Sequence, residues 1–356
     1  MQKYGGTSIG DVDKLKLIAK KVVEKKSEGF SPVVVVSAMG KTTDQLVEMS
    51  EKVIFNETEP DLREKDTLLS TGELVSATLL AMSIKSLGQD VISLSGPQAG
   101  IFTDQIHGSA RISDINTERM MNEIKKNKIL IIAGFQGINT EGDITTLGRG
   151  GSDTTAVALA AALRADVCEI FTDVEGIYTT DPRVVSTARK IDYINYEDML
   201  EMAVLGAKMH PRSIEIASIN KIEMIIKHTK YESEGTRMSN DEVKMEKRNA
   251  VTGIPTSTGV SKVTINNIDD KPGIASSIFL PLSKMGISVD VIVQTAGNDG
   301  KTNLSFTLED KNLDVCVNEL IKNNIAKKEN INTQSGLGKV SIVGTGIQNQ
   351  PGYASR

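Results

Sequence analysis

The feature that most constrains the fold is an alternation of short β-branched runs with helical stretches over the first two thirds of the chain. Residues 31–37 (SPVVVVS) have the length and composition of a buried parallel strand. Strands separated by helices predict an α/β fold, with a mostly parallel sheet and helices on both faces. The other predicted strands are 90–94, 128–133, 167–172 and 222–227, and the predicted helices are 11–28, 73–87 and 196–203.

After residue 258 the pattern changes to a βαββαβ order, which is typical of ferredoxin-like domains. The predicted elements are strand 261–268, helix 274–285, strands 289–294 and 303–308, helix 313–323 and a strand that begins at 340–343. Residues 338–352 resemble the start of a second copy. We predict a catalytic domain (1–245), a linker (246–258), a first small domain (259–335) and the start of a truncated second one (336–356). Both chain ends are expected to be incomplete.

Composition narrows the classes of function. The 356 residues carry a net charge of −5 and only 4% aromatic side chains, which gives no basis for binding nucleic acid or a membrane surface. No signal peptide or long apolar span is evident, so a cytoplasmic location is expected. Three isolated histidines supply no structural metal set. Cys168 and Cys316 lie far apart in apolar elements and are interpreted as buried thiols, not as a disulfide.

The segment TTLGRGGSDTTA, residues 145–156, combines flexible backbone, one fixed positive charge and a helix start. Glycines have no Cβ, so Gly150 and Gly151 let the main chain approach a ligand. Arg149 offers a planar fork of donors for a carboxylate or a phosphate. The alternative is an ordinary loop in which Ser152 or Asp153 caps the helix.

A second glycine motif, KYGGTS at residues 3–8, precedes another helical stretch. A Gly-Gly turn before a helix can hold phosphate on backbone N–H groups, and Lys3 adds a point charge. The alternative is a plain turn capped by Thr7 or Ser8. The stretch at 33–45 is similar to a P-loop, but the required first glycine falls at Val35, so a Walker-type site is not predicted here.

Taken in order, these motifs resemble the aspartate kinases of the amino acid kinase family, over essentially the whole chain. The motifs that carry the resemblance are KYGGTS (3–8), STGE (70–73), GRGGSDTTA (148–156), TDVEGIY (172–178), TDPR (180–183) and GAKMHP (206–211). The small C-terminal domain is similar to ACT domains, which sense small molecules and pair with other copies. The resemblance implies ATP-dependent phosphorylation of the side-chain carboxylate of L-aspartate, the first step towards lysine, threonine and methionine.

The resemblance also implies roles for individual residues. Lys3 and Asp153 would be catalytic, with Asp153 orienting the lysines instead of acting as a base. The implied ATP-binding residues are Lys3, Tyr4, Gly5, Gly6, Ser37, Thr172, Asp173, Tyr178, Arg183 and Lys208. The implied aspartate-binding residues are Thr43, Glu73, Arg149, Gly150, Gly151 and Ser152. The implied effector-binding residues are Asp270, Lys271, Pro272, Gly273, Ile274, Ala275, Asp290 and Gln294.

Several of these residues have a local alternative. Ser70 and Glu73 fit a capping box, with Ser70 at the N-cap and Glu73 three residues later, whereas the family Glu binds the substrate ammonium. Ser37 and Thr43 could cap a helix. Lys208 could be a solvated surface lysine, and His210 before Pro211 is interpreted as structural.

The chemistry implied by the resemblance needs no general base, because the aspartate carboxylate is already ionised at neutral pH. It needs cations and N–H groups that bring two anions together, with Mg²⁺ held mainly through ATP phosphates and water. Lysine, threonine or both are expected as effectors. A homo-oligomer through the ACT domains is expected, and a companion regulatory subunit stays open. The alternatives are another amino acid kinase, or a catalytically silent amino-acid-binding regulator.

Overall fold

The computed structural model describes residues 1–55, 60–240, 251–296 and 300–344, which form two compact units. The first unit holds the described residues of Met1–Gly253 together with Val343 and Gly344, and the second unit is Ile254–Ile342. Of the predicted linker, residues 246–250 lie outside the described residues, as do residues 345–356 of the predicted second small domain. The domain boundaries proposed from the sequence stay a prediction.

The first unit alternates strands and helices along the chain, as the apolar runs predict. Its strands are β1 (Gln2–Tyr4), β2 (Val33–Val36), β3 (Val91–Leu94), β4 (Ile101–Thr103), β5 (Ile112–Ile115), β6 (Ile129–Ala133), β7 (Gln136–Ile138), β8 (Ile144–Thr146), β9 (Cys168–Thr172), β10 (Tyr193–Ile194), β11 (Met224–His228) and β12 (Thr236–Met238). Its helices are α1 (Val12–Ser27), α2 (Thr42–Lys52), α3 (Leu62–Ser86), α4 (Glu118–Lys125), α5 (Gly151–Leu163), α6 (Tyr196–Val204) and α7 (Pro211–Asn220).

Eight of these strands form one sheet in the order β10-β12-β11-β9-β1-β2-β6-β3. Its pairs are parallel except β11–β12, which is antiparallel. A second sheet has the order β5-β4-β7-β8. The predicted mostly parallel sheet is confirmed, whereas the second sheet, built from strands of three or four residues, was not predicted.

Alternation within β2 explains why helices cover both faces of the large sheet. Side chains point to opposite faces at successive positions of a strand. Val33 and Val35 pack in one core cluster with residues of α5, α6 and α7, while Val34 and Val36 pack in another with residues of α1 and α3. All four valines are buried, which is why the run lacks any polar position. Cys168 of β9 is a buried free thiol.

The second unit is a four-stranded antiparallel sheet in the order β14-β15-β13-β16, with the βαββαβ order predicted from the sequence. Its elements are β13 (Thr256–Asp269), α8 (Ile274–Lys284), β14 (Asp290–Ala296), β15 (Lys301–Glu309), α9 (Leu313–Lys322) and β16 (Ile331–Val340). Its core includes Phe306 and the free thiol Cys316.

The strand predicted to begin at 340–343 is wrong. Val340 ends β16, which pairs with β13 along its length from Ile331. β16 is polar and mostly exposed, so it carries no alternating apolar pattern that could mark it in the sequence. Residues 338–340, which were expected to start a second small domain, therefore belong to the last strand of the first one.

Candidate active site

The candidate active site lies where the carboxyl ends of neighbouring parallel strands meet. β1 lies between β2 and β9, and the backbone after each strand is tied to its neighbour. Gly5 N–H donates to the carbonyl of Phe171 at 3.4 Å, and Ser37 N–H donates to the carbonyl of Tyr4 at 3.1 Å. Ligands bind at this edge in open α/β sheets.

Lys3 and Asp153 form the central ion pair of the site. Lys3 Nζ lies 2.7 Å from Asp153 Oδ1, and their side chains are only 11% and 18% exposed. Lys3 belongs to β1, whereas Asp153 lies in the first turn of α5. This mostly buried ion pair joins β1 to the N-terminus of α5. Helix N-termini attract anions.

The first glycine turn leaves no room for a side chain at Gly6. A Cβ at Gly6 would lie 2.8 Å from the carbonyl oxygen of Ala38, and one at Gly5 would lie 3.4 Å from Lys3 Nζ. The following helix α1 is capped by Asp11, which accepts from Lys14 N–H, so capping by Thr7 or Ser8 is wrong. The turn therefore places main-chain atoms without side chains next to the Lys3 ammonium.

Tyr4 does not present its side chain to the site. Its ring is fully buried and stacks on Phe171, with centroids 4.6 Å apart. Burial raises the pKa of its hydroxyl strongly. Any contact of Tyr4 with a nucleotide would therefore be made by its main chain.

Glu73 projects from the middle of α3, not from a helix start. The capping-box interpretation is wrong, because α3 begins at Leu62 and is capped by Asp61, while the Ser70 hydroxyl donates to the carbonyl of Thr67. The Glu73 side chain is buried, and its Oε1 accepts from Ala38 N–H at 3.1 Å. Its Oε2 is buried without a hydrogen-bond partner. Burial raises the pKa of Glu73 to about 7, against smaller lowering by backbone hydrogen bonds.

A neighbouring glycine explains how Glu73 reaches this position. A Cβ at Gly72 would lie 2.9 Å from that of Ala38. The absence of a side chain there lets α3 approach the segment that follows β2. Glu73 is thus held against the backbone beside the first glycine turn, since Ala38 contacts both Gly6 and Glu73.

The second glycine motif forms a left-handed loop that leads directly into α5. Gly148 has φ +75° and Gly150 has φ +66°, values that L side chains rarely adopt. Gly150 is the N-cap and makes no side-chain cap, so capping by Ser152 or Asp153 is wrong. A Cβ at Gly150 would lie 2.3 Å from the Cβ of His210.

Arg149 lies exposed at the tip of this loop. Within the described parts of the chain it takes part in none of the salt bridges, unlike Lys3. Its guanidinium is therefore available to a ligand. Ser152, by contrast, is buried in the first turn of α5, where a Cβ at Gly134 would come within 2.9 Å of its side chain.

The residues expected to hold ATP follow β9. Thr172 ends this strand, and its hydroxyl donates to Asp173 Oδ1 at 3.1 Å. Arg183 pairs with Asp181, and this contact lowers the pKa of Asp181 to about 2, with a smaller contribution from Lys208. Arg183 and Lys208 thus both lie near enough to Asp181 to lower the pKa of its carboxyl. Lys208 itself is exposed.

Three more predicted residues are placed by the structure. Tyr178 follows this strand and forms a β-bridge with Lys190. Thr43 lies in the first turn of α2, whose N-cap is Lys41 without a side-chain cap, and Ser37 lies before that helix. Ser37 and Thr43 are therefore not caps, which removes the local alternative for both.

Comparison with known proteins assigns the chain to a family. A profile of the amino acid kinase family matches residues 2–228. Aspartokinase 2 of Bacillus subtilis is 46% identical over 358 residues, covering 100% of this chain and 86% of the relative, and the aspartokinase of Bacillus sp. strain MGA3 is 45% identical with the same coverage. The chain is an aspartokinase-type member of the amino acid kinase family.

The fold comparison agrees with this aspartokinase assignment. Escherichia coli aspartokinase III, solved in complex with aspartate and ADP, superposes with a TM-score of 0.82 at 24% identity, covering 99% of this chain and 89% of the solved chain. At this identity the likeness supports the fold, and the family membership rests on the sequence relatives. The predicted family is confirmed.

The residues expected to bind an effector in this aspartokinase-type chain lie in its second unit and are mostly exposed. Asp270 accepts from Gln294 Nε2 at 3.3 Å, which brings two of them together. Asp290 is instead paired with Lys339 of β16, a residue that the sequence did not single out. The turn Lys271-Pro272-Gly273 leads into α8, with Gly273 as N-cap at φ +90° and with Ile274 and Ala275 in the first turn.

Sequence reasoning missed two charged side chains that hold the second glycine motif. Asp66 of α3 accepts hydrogen bonds from Gly108 and Thr146, and Arg212 of α7 donates to the carbonyls of Leu147 and Ala110 at 3.0 and 2.7 Å. The one available signal for Asp66 was its position seven residues before Glu73, which places both acids on one face of a helix. His210, interpreted as structural, is the N-cap of α7 and packs on Gly150.

Helix α3 is long and apolar enough to cross a membrane by length and hydropathy alone. It carries the buried acids Asp66 and Glu73 on its inner face, and a core helix of a folded domain passes the same test. Its apolar composition is accounted for by packing, because Ala77, Leu80 and Ile84 are buried in one cluster with residues of the large sheet and of α1.

Proposed function

We propose that this chain transfers the γ-phosphoryl group of ATP to the side-chain carboxylate of L-aspartate, producing 4-phospho-L-aspartate and ADP. Membership of the aspartokinase-type family supports this activity. The structural observation that carries it is Glu73, a buried acid with one unpartnered oxygen beside the first glycine turn. A buried carboxylate oxygen without a donor is costly unless a ligand supplies one.

Glu73 and Arg149 would bind the two α-groups of the substrate. Glu73 Oε2 would accept from the α-ammonium, whereas Arg149, exposed at the glycine loop, would bind the α-carboxylate with two parallel hydrogen bonds. Thr43 and the N-terminal residues of α5, which are Gly150, Gly151 and Ser152, would complete the site. Two opposite charges recognised at two points fix the orientation of the amino acid as well as its affinity.

The transfer step would require charge stabilisation and no general base. A side-chain oxygen of aspartate forms a bond to the γ-phosphorus, the bond from that phosphorus to the β–γ bridging oxygen breaks, and ADP leaves with the electron pair. Lys3, Lys208 and the backbone of Gly5 and Gly6 would face the charge on the transferring group. Asp153 would hold Lys3 in place through their 2.7 Å contact.

Mg²⁺ fits this site as a companion of ATP. Among the described residues, no group of three His, Cys, Asp or Glu side chains is placed to hold a metal ion. Mg²⁺ commonly enters kinase sites on substrate phosphates with several waters, so it needs few protein ligands. When bound, it would neutralise phosphate charge. Thr172, Asp173, Tyr178 and Arg183 would hold the nucleotide after β9, and Ser37 would do so after β2.

Trapping the acyl phosphate with hydroxylamine tests this function. The purified chain should form a hydroxamate only when ATP, Mg²⁺ and L-aspartate are all present. Formation with L-glutamate instead would favour another amino acid kinase. No product from either acceptor, with ATP binding intact, would favour the catalytically silent regulator and would contradict the proposal.

The second unit would regulate this activity. We propose that lysine, threonine or both bind through the turn at 270–275 together with Asp290 and Gln294, that the chain assembles into a homo-oligomer through this unit, and that it acts in the cytoplasm. The antiparallel sheet with two helices on a βαββαβ path supports an ACT-type domain. A companion regulatory subunit is compatible with this proposal. Fold order by itself does not select the effector.

A further inference from the structure

Among the described residues, Asp66 is the most completely enclosed acid outside the proposed site. It is 1% exposed, and its carboxylate faces four donors on two other segments. Gly108 N–H donates at 3.0 Å, Thr146 N–H at 3.0 Å and the Thr146 hydroxyl at 2.5 Å, and His107 Nδ1 lies 2.9 Å away. A carboxylate is an acceptor only, so it satisfies all of these groups at once, whereas an amide of the same shape would turn a donor towards some of them.

Asp66 contacts two segments, residues 107–108 and Thr146, and both lie at the base of the second glycine motif. Thr146 ends β8, two residues before Gly148, and its carbonyl accepts from Ala110 N–H at 2.9 Å. A Cβ at Gly148 would lie 3.2 Å from the carbonyl oxygen of Gly108. The loop that carries Arg149 therefore begins at residues whose positions depend on hydrogen bonds to Asp66.

The same helix also carries Glu73. Seven residues separate Asp66 from Glu73 on α3, which is two helical turns and about 10 Å at 1.5 Å per residue. Both side chains are buried, so they lie on the inner face of one rigid element. Asp66 thus links the helix that carries Glu73 to the base of the glycine loop, beside a second link in which Gln136 Nε2 donates to the carbonyl of Ser70 at 2.8 Å.

We propose that Asp66 is a positioning residue that sets the spacing between Glu73 and Arg149, and with it the selectivity for the amino acid substrate. The inference rests on the proposed function, because it takes these two residues as the partners of the α-ammonium and the α-carboxylate. Asp66 touches neither substrate. Its effect should therefore appear in substrate affinity and in the order of the loop.

The test compares Asp66→Asn with Asp198→Asn in the full chain. Asp198 is a similarly buried acid of the first unit, 6% exposed, whose carboxylate accepts from Asn195 Nδ2 and the Thr252 hydroxyl and from neither glycine-loop segment. We expect Asp66→Asn to raise the KM for aspartate about tenfold or more, with the KM for ATP within about twofold, since small misplacements of a binding group have effects of this size. Asp198→Asn should show no such split, even if it lowers the melting temperature equally.

Amide hydrogen exchange supplies a readout that does not need activity. In Asp66→Asn, peptides covering 104–111 and 144–150 should exchange faster, while peptides of α6 should not. Unchanged exchange in those segments would overturn the positioning role, and so would equal changes in the KM for aspartate and for ATP. If the unmodified chain made no acyl phosphate, the proposed function would fail, whereas the exchange result would still decide whether Asp66 orders the loop.

Discussion

The two units of this protein handle charged groups in opposite ways. In the first unit Asp66 and Glu73 are almost completely buried, and the Lys3–Asp153 pair is largely hidden. In the second unit Asp270 and Asp290 are exposed. Burial of charge is costly unless hydrogen bonds or a ligand compensate it, whereas an exposed charge is worth little in either direction.

This difference separates a site whose charged residues are already ordered by the fold from a site whose charged residues lie on the surface. In the first unit, the site residues lie at strand ends and helix starts. Their side chains are therefore ordered before a ligand binds. In the second unit, Asp290 is paired with Lys339, so an effector ammonium would have to replace that partner. Substitutions should therefore change catalysis in one unit and only regulation in the other.

Removing the Lys3 ammonium should have the largest effect. Lys3→Ala should lower kcat about a hundredfold or more, because it is the cation beside the first glycine turn, and ATP binding should change less. Steady-state rates and calorimetric titration with ATP measure the two quantities. Lys227→Met, which breaks the 2.8 Å pair of Lys227 with Glu169, is the matched control. Near-normal kcat in Lys3→Ala would remove Lys3 from the mechanism.

Acidification should weaken aspartate binding through Glu73. Burial raises the pKa of Glu73 to about 7, and an ammonium must meet its ionised form. Below pH 7 binding must expel a proton, so the KM for aspartate should rise as pH falls, by up to about tenfold per pH unit. Glu73→Gln should have a high KM with little pH dependence. A pH-independent KM in the unmodified chain would argue against this assignment.

Glu73 should also affect the stability of the fold. Low pH should stabilise the fold through Glu73, whereas it weakens aspartate binding. Because the pKa of Glu73 rises from 4.5 to about 7 on folding, its protonation stabilises the fold at low pH, and this contribution is lost as pH rises through about 7. Glu73→Gln does not titrate. Its free energy of unfolding, measured by denaturant titration, should therefore improve relative to the unmodified chain between pH 4.5 and 7.

Replacing the Arg149 fork should change substrate affinity alone. Arg149→Lys should raise the KM for aspartate about tenfold with little change for ATP, because a lysine keeps the charge but cannot form two parallel hydrogen bonds. Initial rates with each substrate varied in turn measure this split. Arg119→Lys, an exposed arginine on α4, is the control. Equal losses for aspartate and ATP would place Arg149 elsewhere in the reaction.

Changes in the second unit should leave the uninhibited rate almost unaltered. Asp290→Ala should relieve inhibition by lysine, threonine or both, since it removes the acid proposed for the effector ammonium. Glu309→Ala, which breaks the surface pair with Lys311, is the matched control. No inhibition and no heat of binding with either amino acid would leave the second unit without a sensing role.

The sequence predicted five strands of the large sheet, which are β2, β3, β6, β9 and β11, but it missed β1, β10 and β12, which have only two or three residues. The run at 31–37 contains β2, and the run at 167–172 contains β9, since a strand covered on both sides is mostly apolar. The small sheet of β4, β5, β7 and β8 was missed because each strand has only three or four residues. Such lengths carry no measurable alternation.

The helix that organises the site, α3, was predicted to begin eleven residues too late. Ser70-Thr71-Gly72-Glu73 has the spacing of a capping box, yet the Ser70 hydroxyl bonds back to Thr67 within α3. Serine can satisfy itself inside a helix as well as at its start, so the local pattern does not separate the two cases. Asp66 was overlooked for a related reason: its donors are 41 to 80 residues away in the sequence.

The most direct test of the account is a crystal structure of the chain with L-aspartate and ADP. We predict that the α-ammonium lies within about 3 Å of Glu73 Oε2, that Arg149 binds the α-carboxylate, and that the side-chain carboxylate faces Lys3. Aspartate bound in this cleft in the reverse orientation, or away from Glu73 altogether, would contradict the central claim that the buried acid of α3 receives the substrate.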